Sequence, residues 1–386
     1  MTQRTTLAVL RHSFTLLAIT ISFLACSDSN SDTDEISSSS ETPSSSSETL
    51  SSSSEINSLL LNFTSDYATG LLRWMNTDST SLSSGQKLFD QDSKVFANGK
   101  DIFVLERIDW GAINNLSCIQ ADKIEEGTPP IQKSLEAGSN PYEVAVAGST
   151  GYIALYDLDY VQTFDVNTCA LGEKIDLPIE YANASSIKAN GNELLVVAQR
   201  LEAFSATKPG LLIIMNATTK ELIDTVQLNF YNPIASVLSN GKLYVSSVDD
   251  YFSFANAGVE VVDLATRSSE ILATSTQLGG GAQYIALDEA NQVLYTSVYV
   301  GYRMAAEDPE NPVIPVILSS KSVGSALPSI EDATELVFDS ETGKLFIADR
   351  GFNTGGLKVY DTGTQTTTAI DGSSVLPPSS LAIARW

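Results

Sequence analysis

Histidine is almost missing from this chain: one residue in 386, His12, inside an apolar stretch near the start. If that stretch is removed on maturation, the remaining chain has none. A Ser-His-Asp triad, a Cys-His pair and a histidine-ligated zinc are then excluded. Any chemistry has to run on carboxylates, lysine, arginine or tyrosine. Basic residues are also scarce, 22 against 47 acids, for a net charge of −25. An acidic chain lacks the clustered Lys and Arg that phosphate backbones demand, so no nucleic acid is expected as a partner. Acidity of this kind also serves solubility. Only 18% of residues are charged, so the charged runs that favour long surface helices are missing. Long hydrophobic runs are missing too. The longest apolar stretch, Ser13–Ala25, is too short to span a bilayer as a helix.

That stretch follows Arg4 and Arg11, which gives residues 1–25 the layout of a signal peptide. It ends Phe23-Leu24-Ala25-Cys26, which resembles the lipobox of bacterial lipoproteins, with Phe23 standing where the pattern usually has Leu. The resemblance implies cleavage before Cys26, lipidation of Cys26 and membrane attachment through acyl chains. Ser27 leans towards the outer membrane or cell surface rather than the inner membrane. Ordinary cleavage near Ala25, leaving a secreted protein, is the alternative. Residues 26–56 repeat Ser-Ser-Ser-Ser every seven residues among acids, with no basic residue. Such a segment has nothing to bury, and its composition predicts a disordered tether. No apolar seam accompanies the seven-residue spacing, which excludes a coiled coil.

From residue 57 onward Thr, Ser, Val, Ile, Tyr and Phe dominate, a strand-forming composition. The clearest stretch is Lys344–Asp361, KLFIADRGFNTGGLKVYD: an alternating run, a turn cluster with three glycines, and a second alternating run. It is the middle pair of a four-stranded unit a–b–c–d that runs from Thr334 to Ile370. Five further units fit the same frame at a period of about 42–51 residues, which points to a propeller. The two ends are incomplete in complementary ways. Ser58–Phe63, Leu71–Asn76 and Ser79–Ser83 supply strands b, c and d, and Ser379–Trp386 supplies strand a. Joining them closes a ring and removes its free edges. The predicted fold class is therefore all-β, a seven-bladed β-propeller over residues 57–386. The alternative is a six-bladed ring carrying an extra N-terminal hairpin.

The stretch IADRGFNTGGLKVYD resembles the repeat of YVTN-type propellers, a group that includes lactonase-like bacterial propellers. YIALYDLDYVQTFDVNT and LYVSSVDDYFSFANAGVEVVDLAT are weaker echoes. The resemblance covers roughly 58–386 and implies a fold that hosts both binders and enzymes.

The a–b turns are tight, as in Asn98-Gly99-Lys100, Asn190-Gly191-Asn192 and Asn240-Gly241-Lys242. The b–c loops are longer: 201–210, 249–258, 299–312 and 350–356. Length invested on one face, the top, marks that face as functional. Arg107, Trp110, Tyr160, Arg200, Tyr251, Phe252, Tyr302, Arg303, Arg350 and Phe352 lie in or beside those connections and are the candidate ligand-binding residues. Aromatic planes beside guanidinium forks and carboxylates suit an envelope glycan or peptide, since rings stack and forks take hydroxyls or carboxylates. Packing between blades is the alternative role for many of these rings. No cofactor is expected. Calcium at Asp157 and Asp159 or at Asp249 and Asp250 is a weaker expectation, because no EF-hand series is present. Cys118 and Cys169 fall in neighbouring blades and form either a disulfide or two buried apolar positions. The function expected from the sequence is a non-catalytic binding or interaction lipoprotein of the bacterial cell envelope, with an envelope glycan, peptide or protein as partner. The alternative is a histidine-independent lactone or sugar-ester hydrolase.

Overall fold

A computed structural model of the chain describes residues 57–66, 70–85, 89, 92–108, 112–124, 126–303, 305–372 and 376–386. The signal segment, Cys26, the serine tether and Trp110 lie outside the described residues. The rest is a seven-bladed β-propeller of antiparallel sheets.

Blades are numbered along the chain and strands lettered from the central channel outwards. Blade 1 comprises Ser93–Asn98, Asp101–Ile108, Ile113–Gln120 and Ile131–Ser134; blade 2 comprises Pro141–Ala147, Thr150–Leu155, Tyr160–Asp165 and Leu171–Asp176. Blade 3 is Ala184–Asn190, Glu193–Ala198, Pro209–Asn216 and Leu222–Tyr231; blade 4 is Pro233–Ser239, Lys242–Ser247, Gly258–Asp263 and Ser268–Thr274. Gly281–Asp288, Val293–Tyr299, Val313–Ile317 and Ser322–Val323 form blade 5, and Ala333–Asp339, Lys344–Asp349, Gly356–Asp361 and Thr366–Ala369 form blade 6. Blade 7 takes its a strand, Pro378–Arg385, from the C-terminus and its b and c strands, Ser58–Ser65 and Gly70–Asn76, from the N-terminal side.

Strand b of each blade is covered on both faces by neighbouring blades, so it reads as a continuous apolar run rather than an alternating one. Glu193–Ala198 and Lys344–Asp349 are buried from their second residue onward. Strand d faces solvent and is polar: in Leu171–Asp176 only Ile175 is buried. The apolar core is accordingly divided into clusters, several of which lie between adjacent blades.

One turn position ties successive blades together. The fifth residue of the c–d turn is left-handed in five blades: Cys169, Lys220, Arg267, Lys321 and Gln365, at φ 58°, 63°, 56°, 52° and 57°. Its N–H donates to the carbonyl four residues back in blades 2, 3, 4 and 6, at 2.8–2.9 Å. Four of these side chains reach the preceding blade. Lys220 pairs with Glu173, Arg267 with Glu193 and Lys321 with Glu270. In blade 2 the same position is Cys169, and its partner on blade 1 is Cys118, disulfide-bonded with the Cα atoms 6.0 Å apart. A covalent tie stands where the next three blades use ion pairs. Of the two roles the sequence left open for Cys118 and Cys169, the structure has the disulfide.

Two outer strands are shorter than the repeat predicts. Strand d of blade 5, expected over Val323–Ala326, is only Ser322–Val323. Gly324 donates to the Pro315 carbonyl at 2.8 Å, but Pro315 has no N–H to return, so the ladder stops there. In blade 7 the expected d strand Ser79–Ser83 is reduced to the Ser81–Asp371 bridge and the Ser83 N–H donating to Trp74 O at 2.9 Å. Two four-residue helices, Ala121–Ile124 and Ser275–Leu278, occupy connections between strands.

Candidate functional site at the top-face mouth of the channel

A β-bulge recurs at one height of the ring. In blades 2, 3, 4, 6 and 7 the a–b register skips one residue near the top of strand a, leaving Tyr142, Ser185, Ile234, Thr334 and Ser379 unpaired. In blade 5 the skip takes in Gln283 and Tyr284. Blade 1 has no skip, and Lys94 is the second residue of its strand a. A bulge turns the extra residue out of the ladder and re-aims its side chain. All of these residues line the central channel or its mouth.

The mouth is a cup of about 350 Å³ on the top face, continuous in its lining residues Lys94 and Tyr284 with a channel cavity of about 460 Å³ below. Four cations line the cup, Lys94, Arg107, Arg303 and Arg350, against two carboxylates, Asp92 and Asp332. This local positive excess sits in a body with twice as many acids as bases. Arg107 pairs with Asp92 at 2.8 Å and lies 5.0 Å over the Tyr142 ring. Tyr142 in turn stacks on Tyr156 at 4.6 Å. The Lys94 ammonium stands 5.4 Å from the Tyr142 ring centre and 5.6 Å from that of Tyr284, so two ring faces hold it by cation–π attraction.

Arg303 comes from the long b–c loop of blade 5, and its side chain is only 2% exposed. Its guanidinium donates to Asp308 O at 2.8 Å and Ala306 O at 3.3 Å, and Glu331 lies 3.6 Å away. Glu331 is also engaged by the b–c loop of blade 6, accepting from the Thr354 N–H at 2.8 Å and its hydroxyl at 2.7 Å, and from the Asn353 N–H at 3.1 Å. Gly351 is required here, since a Cβ would stand 2.4 Å from the Glu331 Cβ. Arg350 donates to Ser65 O at 3.0 Å and Pro378 O at 3.3 Å, bridging strands a and b of blade 7. Burial raises the Asp332 carboxyl above its ordinary range, and nearby Asp349 adds to this, although Asn311, Arg303 and Arg350 oppose it.

On the same face the b–c loops carry exposed rings, one per blade over four consecutive blades: Phe204 86%, Phe252 92%, Tyr302 67% and Phe352 55% exposed; of these Tyr302 lines the cup. Phe204 and Phe252 are third residues of four-residue turns closed by the Glu202–Ser205 and Asp250–Ser253 bridges. Ala203 and Phe204 both adopt positive φ, and the Asp250 carboxylate caps its turn by accepting from the Phe252 and Ser253 N–H groups. Tyr251, Tyr299 and Tyr302 form a ring cluster, with centroids 5.2–6.3 Å apart. Burial pushes the Tyr299 hydroxyl up to about 12.

Of the residues singled out from sequence, Arg107, Tyr302, Arg303 and Arg350 line the cup. Phe252 and Phe352 are exposed on b–c loops of the same face, outside the cup lining, and Tyr251 sits in the ring cluster with Tyr299 and Tyr302. Two belong elsewhere. Tyr160 is on strand c, donating to Glu136 at 2.7 Å with the Lys174 ammonium 4.2 Å over its ring. Arg200, left-handed at φ 59°, donates to Pro209 O at 3.3 Å within its own loop. Lys94, Tyr142, Tyr284 and Asp332 were not singled out. A residue count across the a strands, second position by second position, would have found Lys94, Tyr142 and Thr334; the bulges that aim Tyr142 and Thr334 carry no composition signal. The carboxylates considered for calcium serve the loops: Asp249 accepts from the Asn256 N–H at 2.8 Å and Asp159 from the Ala182 N–H at 2.9 Å. Among the described residues no group of three or more His, Cys, Asp or Glu is placed to hold a metal ion.

Comparison with known proteins gives a structural likeness only. No family model matches the chain. No curated protein matches it in sequence. Among solved structures it superposes on Kuenenia stuttgartiensis hydrazine synthase with a TM-score of 0.59 at 10% identity, over 81% of this chain and 95% of that one. A functionally unknown protein from Desulfotomaculum acetoxidans DSM 771 gives a TM-score of 0.58 at 14% identity, over 84% and 98%. Apo AztD from Citrobacter koseri gives 0.54 at 10%, over 86% and 98%. The likeness is one of fold. The propeller supports a binding or interaction domain, and the chemistry has to be argued from the cup.

Below the cup, Glu335 faces the channel. Burial raises its carboxyl from 4.5 to about 7; Glu143 adds to the rise, while Lys94, Lys188 and the Leu336 N–H oppose it. Its half-buried side chain lines the channel cavity, where desolvation prevails over that partial exposure. The folded state therefore keeps a proton that the unfolded chain releases between about pH 4.5 and 7. The stabilising contribution of this proton is complete below that window and is lost as pH rises through it. Glu335→Gln is expected to be more stable than the parent at pH 8, by at most about 3 kcal/mol, and equal to it at pH 4.5. Urea titrations of both proteins across that range measure the difference.

Proposed function

We propose that the chain is a lipid-anchored envelope protein whose propeller is a binding module, with its ligand, a glycan or a peptide, seated at the top-face mouth. The observation that carries this reading is a positive cup in an acidic body, lined by the bulged residues of blades 5, 6 and 7 and by the rings of Tyr284, Tyr299 and Tyr302. The lipobox-like Cys26 and the serine-rich segment that follows it support display at the envelope. Metabolic labelling with a palmitate analogue tests the anchor: label on the parent and none on Cys26→Ala supports it, and label on both overturns it.

A thermal-shift screen of the full chain against glycan fragments and peptides tests the site. Tyr302→Ala is expected to abolish the shift caused by a hit. Because Tyr302 is largely exposed, the free variant should melt within about 2 °C of the parent. A shift that survives in Tyr302→Ala and in Lys94→Gln places the ligand elsewhere.

One observation favours a second reading. Asp332, its carboxyl raised by burial, shares the cup with three guanidinium groups, and such a carboxyl can act as an acid or base on an ester or lactone. Turnover of lactones or sugar esters that disappears in Asp332→Asn would establish it; absence of turnover across such a panel would dismiss it.

A further inference from the structure

We propose that the cup takes a sugar acid: a glycan unit carrying a carboxylate, with the carboxylate against Lys94, Arg107 and Arg303. This deepens the top-face reading above and rests on it.

The lining decides between glycan and peptide. No aliphatic side chain lines the cup. Its walls are hydroxyls and amides, with Ser93, Gln283, Asn311, Thr334 and Ser379 among them. The apolar surface it offers consists of the rings of Tyr284, Tyr299 and Tyr302. Peptide side chains would meet no aliphatic pocket here. A pyranose, by contrast, presents hydroxyls around its edge and an apolar C–H face for stacking. At about 350 Å³ the cup is at the small end of ligand sites, room for one or two hexose rings.

The charge decides between a neutral and an acidic sugar. Arg303 is buried; among the described residues it donates to two carbonyl oxygens, and its ion-pair partner Glu331 stands 3.6 Å from it. Its Nε makes no hydrogen bond, and neither does the Nε of Arg107; both atoms are buried. An unspent buried N–H donor is costly and calls for an acceptor. Two such donors on cationic groups lining one cavity fit an anionic acceptor better than a hydroxyl. The Lys94 ammonium, held by two ring faces, adds a third cation without a carboxylate at ion-pair distance among the described residues.

The test is an array of oligosaccharides bearing uronic or sialic acids, printed beside their neutral parents and a set of acidic peptides, probed with the full chain. Acidic glycans are expected to bind at least about 30-fold more tightly than their neutral parents, the factor set by about 2 kcal/mol for losing one partner of a buried charge pair. Lys94→Gln should lower that affinity about tenfold or more with the fold intact by circular dichroism. Added salt should weaken the acidic glycans and leave any neutral binding unchanged. Equal binding of acidic and neutral glycans, lost in Tyr302→Ala but kept in Lys94→Gln, would overturn the sugar acid and leave the top-face reading standing. Binding to acidic peptides without glycans would likewise overturn it. If the glycans bind as well to Tyr302→Ala and Lys94→Gln as to the parent, or do not bind at all, this inference fails; only the first of these results removes the top-face site.

Discussion

A chain ending at residue 377 is expected to be recovered unfolded or aggregated. The missing segment is strand a of blade 7, and it closes the ring against the N-terminal strand. Seven residues of that strand pair with Ser58–Thr64 in an antiparallel ladder with one bulge, at Ser379. The Asn57 and Trp386 backbones extend it with two further hydrogen bonds at 3.1 and 3.2 Å. Side chains lock both ends. Arg350 bridges Ser65 O and Pro378 O at the top, and Arg385 pairs with buried Asp339 and donates to the Ser58 hydroxyl at the bottom. Beneath lie Leu60, Leu61 and Phe63, all 0% exposed. Re-exposing even these three side chains costs about 1.5–3 kcal/mol each, on top of an open sheet edge and unpaired backbone groups. Their sum is comparable to the whole stability of an ordinary domain, about 5–15 kcal/mol. Far-ultraviolet circular dichroism and size exclusion of the truncated chain measure the effect. A monomeric, cooperatively melting truncated protein would mean that six blades suffice.

Removing the disulfide is expected to cost about 4 kcal/mol, because the bond closes a loop spanning 51 residues of separation. The comparison to make is Cys118→Ala with Cys169→Ala against the parent in denaturant. The cost should be larger than for Lys220→Ala, which breaks the equivalent ion pair one blade on. That pair is largely solvated and worth less than about 1 kcal/mol. The contrast separates the covalent constraint from simple blade-to-blade contact. Equal losses in the two variants would show that position, not the bond, matters.

The ring was legible in the sequence because its signals are local. Alternation in the strands, Asn-Gly in the a–b turns, and the complementary deficits at residues 58–83 and 379–386 are each read within a few residues of one another. The lateral ties were not. Cys169, Lys220, Arg267 and Lys321 share one turn position, but nothing in their identities links them until the left-handed φ is known. The candidate site was half legible. Arg107, Arg303 and Arg350 follow b strands and are found by counting, whereas Lys94, Tyr142 and Tyr284 sit in a strands that read as ordinary sheet. A bulge shifts register without changing composition, so the residues it turns into the channel are invisible to a periodicity argument. Tyr160 and Arg200 illustrate the opposite error. An aromatic or cationic residue beside a loop on the correct face can still be spent on its own blade.

Hydrogen–deuterium exchange of the full chain, with and without a saturating glycan taken from the array, tests most directly where the ligand sits. Added protection is predicted in the b–c loops over 299–312 and 350–356 and at the starts of the a strands around Lys94, Tyr142 and Tyr284. The c–d turns at 165–169, 216–220, 263–267 and 361–365 should exchange as before. Protection confined to those turns, with the top-face loops unchanged, would contradict a ligand site at the mouth of the channel.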